Sequence, residues 1–163
     1  MDFKKVLAAV DRATTIESPK FQRALRLAEK ENAKLMILHC LPQETIAEME
    51  GRIATLAEVE RSEPLYKVGH EKGREIEHIR AWLEELCRVA QEKGIEAIPE
   101  IAAGKPGPTV VNMAEHWEAD VIVLGQTKRS ALSDFLVRGT SSYVTYHSPC
   151  SILFVHEGVL PEQ

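Results

Sequence analysis

The stretch of sequence that decides the fold runs from Asp120 to Val155 and reads DVIVLGQTKRSALSDFLVRGTSSYVTYHSPCSILFV. It opens with a short apolar run, Val121 to Leu124, whose β-branched residues are typical of a strand that is buried on both faces. Gly125 ends this run, and a polar loop, residues 126–130, follows it. Apolar residues at helix-like spacing come next, before Ser151 to Val155 forms a second apolar run. The stretch therefore predicts a strand, a glycine-led loop, a helix and a strand.

The glycine at the end of the first run has a special position in this prediction. In an open parallel sheet, ligands bind beyond the carboxyl ends of the strands. A glycine at such an end lets backbone N–H groups approach a phosphate closely. Gly125 is therefore predicted to belong to a binding site.

The rest of the chain alternates predicted strands with predicted helices. Ser18 and Pro19 are typical of a helix start, and Asn32 of a helix end in the left-handed conformation. Residues 43–72 are least readable and suggest a short amphipathic helix followed by an exposed connection. We predict strands at 5–11, 34–40 and 95–102, the last an edge strand because of Pro99, and helices at 74–93 and 108–117. This alternation predicts a parallel sheet with right-handed crossovers and helices on both faces.

Length, composition and charge narrow the class of protein. The 163 residues, 44% hydrophobic and 28% charged, are sufficient for one globular domain with one core. The net charge of −5 argues against nucleic-acid binding, which needs a basic face. No apolar run is long enough to span a bilayer, and the N-terminus resembles a first strand rather than a signal peptide. Three widely spaced cysteines form no CxxC pair, which favours reduced thiols and a cytoplasmic location.

Motifs of catalysis and metal binding are absent from the sequence. There is no GxSxG elbow, no GxxxxGK[ST] loop and no GxGxxG after the first strand. The six histidines have no HExxH or other metal-ligand spacing. We therefore predict no catalytic residue and no metal ligand.

Four separated segments together resemble the universal stress protein family. They are KVLAAVD (5–11), FQRALRLAEKENAKLMILHC (21–40), EADVIVLGQ (118–126) and GTSSYVTYHSPCSILFV (139–155). The resemblance implies one domain, residues 1–158, with a tail at 159–163. It also implies a Rossmann-like α/β/α fold whose five parallel strands have the order 3-2-1-4-5.

Many members of this family bind ATP through a motif of three glycines. Two residues separate the first glycine from the second, nine separate the second from the third, and a Ser or Thr follows the third. Gly125 matches the first glycine, but Lys128 and Arg138 stand at the second and third, and Gly139 at the hydroxyl position. A shifted reading would align Gly139 and Thr140 with the end of the motif. Lysine and arginine could instead hold phosphates as side-chain cations, or fill a site that no longer binds.

The resemblance assigns further binding positions one by one. Asp11 resembles the acidic residue beside the adenine or ribose, although it could be only a turn former. Ala9 matches a small residue beside the adenine, and Cys40 a position whose backbone meets the adenine edge. Thr140 and Ser141 match phosphate-contacting positions, or are ordinary helix-start hydroxyls.

Three functions are compatible with these sequence features. The first is an adenine-nucleotide-binding regulator of stress response, which takes ATP, with Mg²⁺, or AMP and at most hydrolyses ATP slowly. The second is a dimeric protein-interaction module of the same fold, in which the nucleotide site is degraded and no cofactor binds. Residues 43–72 would then be a surface for a protein partner. The third is a small-molecule enzyme, for which no convergent titratable pair is evident.

The last predicted strand also suggests an oligomer. The resemblance implies a homodimer formed through this strand, Ser151, Ile152, Leu153, Phe154 and Val155. An unpaired apolar edge strand favours pairing with a second copy, and a two-fold contact closes the assembly.

Overall fold

The computed structural model describes residues 2–41, 63–128 and 140–159, which include one five-stranded sheet. Its strands are β1 (Lys5–Val10), β2 (Lys34–Leu41), β3 (Ala97–Ala103), β4 (Val121–Lys128) and β5 (Ser151–Val159). The order across the sheet is β3-β2-β1-β4-β5, and every neighbouring pair is parallel. The predicted fold class and strand order are confirmed, and β3 lies at an edge as predicted.

Helices cover both faces of this sheet. The described ones are α1 (Pro19–Glu31), α2 (Glu63–Glu92), α3 (Pro106–Trp117) and α4 (residues 140–147). α1 and α2 pack on one face, whereas α3 and α4 pack on the other. No helix in the described ranges has the length and apolarity that crossing a membrane requires.

The central strand β1 is buried on both faces because its side chains alternate between the two helical layers. Val6 and Ala8 pack with α1 and α2, while Leu7 packs with α3 and α4. All three side chains are fully buried. Burying one Leu or Val side chain contributes roughly 1.5–3 kcal/mol, so this packing holds the carboxyl end of the strand in place.

The turns around α1 follow the predicted chemistry. Pro19 occupies the first turn after Ser18, and Asn32 ends the helix with a φ of 52°, in the left-handed region. The prediction for Asn32 is therefore confirmed. The chain consequently enters α1 directly from the carboxyl end of β1, through residues 11–18.

Both C-terminal strands are longer than predicted. β4 continues through Gly125 to Lys128, and Gly125 pairs with Val155 of β5. The prediction that Gly125 ends the strand is wrong, and β5 reaches Val159, beyond the predicted strand end at Val155. Pairing along the ladder overrides the polar composition of these segments.

Helix starts also differ from the predictions. α2 begins at Glu63, so the predicted exposed connection up to residue 72 is wrong over this length. Its Glu and Lys residues favour helix sufficiently to outweigh the glycines among them. α3 begins at Pro106, since proline is accommodated in a first helical turn. The predicted amphipathic helix within 43–57 lies outside the described residues.

Candidate functional site

A cavity of about 290 Å³ opens at the carboxyl ends of β1, β2 and β4. The strand order reverses between β1 and β4, and open α/β sheets bind ligands at such a point. Six predicted binding residues line this cavity: Ala9, Asp11, Cys40, Gly125, Thr140 and Ser141. The fold therefore brings together most of the residues that the sequence nominated.

The other three predicted residues are Lys128, Arg138 and Gly139. Lys128 is the last residue of β4, where it pairs with Val159. Arg138 and Gly139 lie outside the described residues. Whether these cations fill the space above β4 or surround it stays a prediction.

The inner wall of the cavity is apolar. Ala9, Leu38 and Leu124 contribute to it from the strands, and Val110 contributes from α3. Burial raises the pKa of Cys40 to about 11, so this side chain is a neutral thiol at pH 7. A neutral thiol adds apolar surface rather than a nucleophile. The wall therefore suits a flat, largely apolar group.

The start of α4 lies beside the cavity because α3 and α4 approach each other closely. A Cβ at Gly107 would lie 3.0 Å from the Cβ of Tyr143, which is tighter than an ordinary contact. The absent side chain thus lets α4 pack against the beginning of α3. Thr140 and Ser141, both half-buried, are held at the cavity by this packing.

Asp11 organises the turn that follows β1. Its Oδ1 atom accepts a hydrogen bond from the backbone N–H of Ala13 at 2.9 Å. Its own N–H donates to Oγ1 of Thr14 at 3.2 Å. The turn-forming alternative is therefore observed. The second oxygen, Oδ2, lies 3.9 Å from Nζ of Lys20, and the side chain is 65% exposed, which leaves that oxygen available to a ligand.

Lys20 is a cavity residue that the sequence did not single out. It stands in the first turn of α1, and its side chain is only 6% exposed. Its Nζ atom lies 3.9 Å from Asp11 Oδ2 and 3.9 Å from Glu157 Oε1. A lysine after Ser-Pro resembles any exposed helix-start residue, so no local signal could have revealed its burial.

Glu157 was missed as well, and it changes the interpretation of Gly125. A Cβ at Gly125 would lie 2.6 Å from Glu157 Oε1. This oxygen is buried and has no hydrogen-bond partner among the described residues. The absence of a side chain at Gly125 therefore admits the protein's own carboxylate.

Behind the cavity, β2 is connected to the β1–α1 turn and to α2. His39 is buried, and its Nδ1 lies 3.1 Å from the carbonyl oxygen of Val10. The rings of His39 and Trp82 of α2 form a T-shaped pair, with the ring centroids 5.3 Å apart. The indole N–H of Trp82 donates to the carbonyl of Thr14 at 3.0 Å. His39 thus lines the cavity and also packs against Trp82, and α2 supports the turn that carries Asp11.

The chemistry of this arrangement is that of a binding site. An apolar wall faces one buried ammonium, one accessible carboxylate oxygen and the hydroxyls at the start of α4. Within the described ranges, no group of three or more His, Cys, Asp or Glu residues could hold a metal ion. The site can therefore hold a flat ring and polar substituents next to it.

Comparisons with a family model and with individual proteins of known sequence give the same family for this chain. A family model described as the universal stress protein family matches residues 2–156. Universal stress protein Sll1388 from Synechocystis sp. is 30% identical over 156 residues, which cover 95% of this chain and 99% of that protein. The similarity therefore extends over nearly the full length of both chains.

Several solved structures share the fold. UspA from Lactobacillus plantarum is 23% identical with a TM-score of 0.68, covering 95% of this chain and 99% of the other. A universal stress protein in complex with cAMP is 18% identical with a TM-score of 0.62, covering 96% and 99%. A family protein from Arabidopsis thaliana with AMP bound is 15% identical with a TM-score of 0.57, covering 94% and 91%.

At these identities the solved structures establish a shared fold, and the family model establishes the relationship in sequence. The family match spans all five strands up to residue 156, including the cavity residues described above. The resemblance drawn from four separated segments is thereby confirmed. The chain belongs to the universal stress protein family.

Proposed function

We propose that this protein binds an adenine nucleotide and acts as a regulator in a stress response, with little or no catalytic turnover. The observation that carries the proposal is the cavity at the sheet's switch point, lined by Ala9, Asp11, Cys40 and Gly125. Members of the same fold have been solved with cAMP and with AMP. Both the location and the family therefore support an adenylate as the ligand.

The shape of the cavity suggests how the nucleotide lies. The adenine would occupy the apolar slot beside Ala9 and Cys40, and Oδ2 of Asp11 would accept from a ribose hydroxyl. The phosphate would lie toward Gly125 and the start of α4 at Thr140. Small-molecule sites commonly have about 300 to 1,000 Å³. A cavity of about 290 Å³ is therefore at the lower end of the range for a small-molecule site.

Calorimetric titration and thermal denaturation test this proposal. We expect saturable heat and a raised Tm with AMP or with ATP and Mg²⁺, and none with GMP. A ligand that binds only the folded state must raise the apparent stability. Absence of both heat and a Tm shift with millimolar AMP, cAMP and ATP would reject adenine-nucleotide binding.

A pair of matched variants locates the binding event. Ala9→Leu places a larger side chain in the adenine slot and should weaken AMP binding by about tenfold or more, because the pocket is over-filled. Ala103→Leu makes the same change at the exposed end of β3, away from the cavity, and should leave binding unchanged. Equal effects of the two substitutions would place the ligand elsewhere.

The second candidate is a dimeric interaction module of the same family whose site no longer binds nucleotide. The observation in its favour is that Lys20 already lies between two carboxylates, those of Asp11 and Glu157. The same titrations distinguish the two candidates, since this one gives no heat with any nucleotide. Both candidates include the proposed homodimer through β5.

A further inference from the structure

We propose that Lys20 is the phosphate-binding residue of this site and that Glu157 is an internal anion, which the phosphate of the ligand replaces. The inference rests on the proposed nucleotide binding and specifies what recognises the phosphate. It assigns this role to a side chain of α1, outside the glycine-led segment that follows β4.

The position of the Lys20 ammonium leaves it ready for a closer anion. The side chain of Lys20 is only 6% exposed, yet its Nζ atom lies 3.9 Å from Asp11 Oδ2 and 3.9 Å from Glu157 Oε1. Charge-assisted N–H···O bonds have lengths of about 2.7–2.9 Å, so neither carboxylate forms one with this group. A buried ammonium gains most from an anion that accepts its hydrogen bonds directly. Because Lys20 lines the cavity, a ligand can supply that anion.

Glu157 is an equally incomplete partner. Its Oε1 atom is buried and accepts no hydrogen bond from the described residues. A buried carboxylate without hydrogen bonds keeps much of its desolvation cost, even beside a cation. Transfer of this carboxylate to water, with phosphate in its place, therefore relieves a cost that the ligand-free protein carries.

The backbone around Glu157 is suited to such an exchange. The regular β4–β5 ladder extends to the pair of Gln126 and His156, but the next pair joins Lys128 with Val159. β5 thus has one additional residue at this point, a bulge of the kind that redirects side chains. The carboxylate can turn outward here while the ladder from Val121 to Gln126 stays paired.

The space that Glu157 would vacate is the space over Gly125. Oε1 of Glu157 now lies 2.6 Å from the point where a Cβ of residue 125 would stand. Once the carboxylate has left, a phosphate oxygen can approach the bare backbone there, beside the Lys20 ammonium. Asp11 remains near Lys20 in both states, so the two carboxylates have different roles.

Ligands with and without a phosphate test the exchange. Calorimetric titration of the wild-type protein should show AMP binding about tenfold or more tighter than adenosine, as expected for a charge-assisted contact. Glu157→Gln removes the competing anion and should increase this preference by a further factor of about three. The double variant Lys20→Met/Glu157→Gln should bind AMP and adenosine with similar affinity. The double variant is used because Lys20→Met alone would leave a buried carboxylate without its cation.

A matched control is the double variant Lys34→Met/Glu96→Gln. It removes an exposed ion pair whose Nζ and Oε1 atoms are 3.7 Å apart and which lies far from the cavity, so it should not alter the preference for AMP over adenosine. An unchanged preference in Lys20→Met/Glu157→Gln would overturn the role of Lys20 while leaving adenine-nucleotide binding intact. A weaker preference in Glu157→Gln would overturn the exchange. A wild-type protein that binds neither ligand would overturn the proposed function and this inference together.

Discussion

On the face of the sheet that carries α1, Oε1 of Glu157 lies 2.6 Å from the point where a Cβ of residue 125 would stand. A side chain at residue 125 would therefore require the carboxylate to move. The glycine and the acid therefore form one structural unit, although they are 32 positions apart in the sequence.

Gly125→Ala should lower the free energy of unfolding by about 1–3 kcal/mol, because the added methyl group displaces the carboxylate of Glu157 from Lys20 with no other anion to take its place. Denaturant unfolding measures this change, and Glu157→Ala in the same chain should remove most of it. Gly73→Ala is the matched control, because Gly73 belongs to α2 and the described residues outside its own helical turns leave open space where its Cβ would stand. It should stabilise the protein by roughly 0.5–1 kcal/mol. Equal losses at both glycines would contradict the proposed crowding.

The residues at the cavity that can be identified from the sequence share a local signal, whereas Lys20 and Glu157 have none. Asp11 and Gly125 follow apolar runs, which marks them as residues at a strand's carboxyl end. Lys20 is buried where α1 lies beside β5, and Glu157 belongs to the part of β5 that extends beyond the apolar run. Tertiary contacts of this kind leave no pattern in the neighbouring residues.

At the scale of secondary structure, α2 supports the site without lining it. Trp82 donates its indole N–H to Thr14 and contacts His39 through the ring edge. The guanidinium of Arg12 lies 5.3 Å from the centre of the same ring. The turn between β1 and α1 is therefore fastened to α2 through Trp82.

Trp82→Phe keeps an aromatic ring but removes the donor to Thr14, which should cost about 1 kcal/mol of stability. Amide hydrogen exchange should accelerate at residues 13–14, because the turn loses its attachment to α2. Trp117→Phe provides the matched control, since Trp117 contacts Lys5 at the opposite end of β1. Unchanged exchange at residues 13–14 in Trp82→Phe would show that α2 does not hold the turn.

The elements themselves were predictable where periodicity and turn chemistry agreed. The apolar runs of β1 and β2 and the left-handed Asn32 were identified in the sequence, and the structure has them. The carboxyl ends of β4 and β5 could not be predicted, because strand pairing extends into segments whose own composition is polar. The start of α2 was missed since its glycines resemble loop residues, although its Glu and Lys residues favour helix.

For the whole molecule, the strand order leaves two edges that differ in chemistry. β3 forms one edge and contains Pro99, which has no N–H to offer a further strand. β5 forms the other edge and contains no proline. An edge of unpaired N–H and C=O groups favours pairing with a second chain, so the proposed homodimer belongs on the β5 side.

The two edges offer a matched test of that assembly. Leu153 on β5 and Ile98 on β3 are apolar residues of nearly equal exposure, 36% and 37%. Leu153→Lys should shift the protein toward monomer in analytical ultracentrifugation, because two like charges would meet near a two-fold axis and become buried without partners. Ile98→Lys introduces the same charge at the edge that Pro99 protects and should leave the oligomeric state unchanged. A dimer that survives Leu153→Lys but dissociates with Ile98→Lys would place the interface on β3, and the asymmetry between the edges would then need another cause.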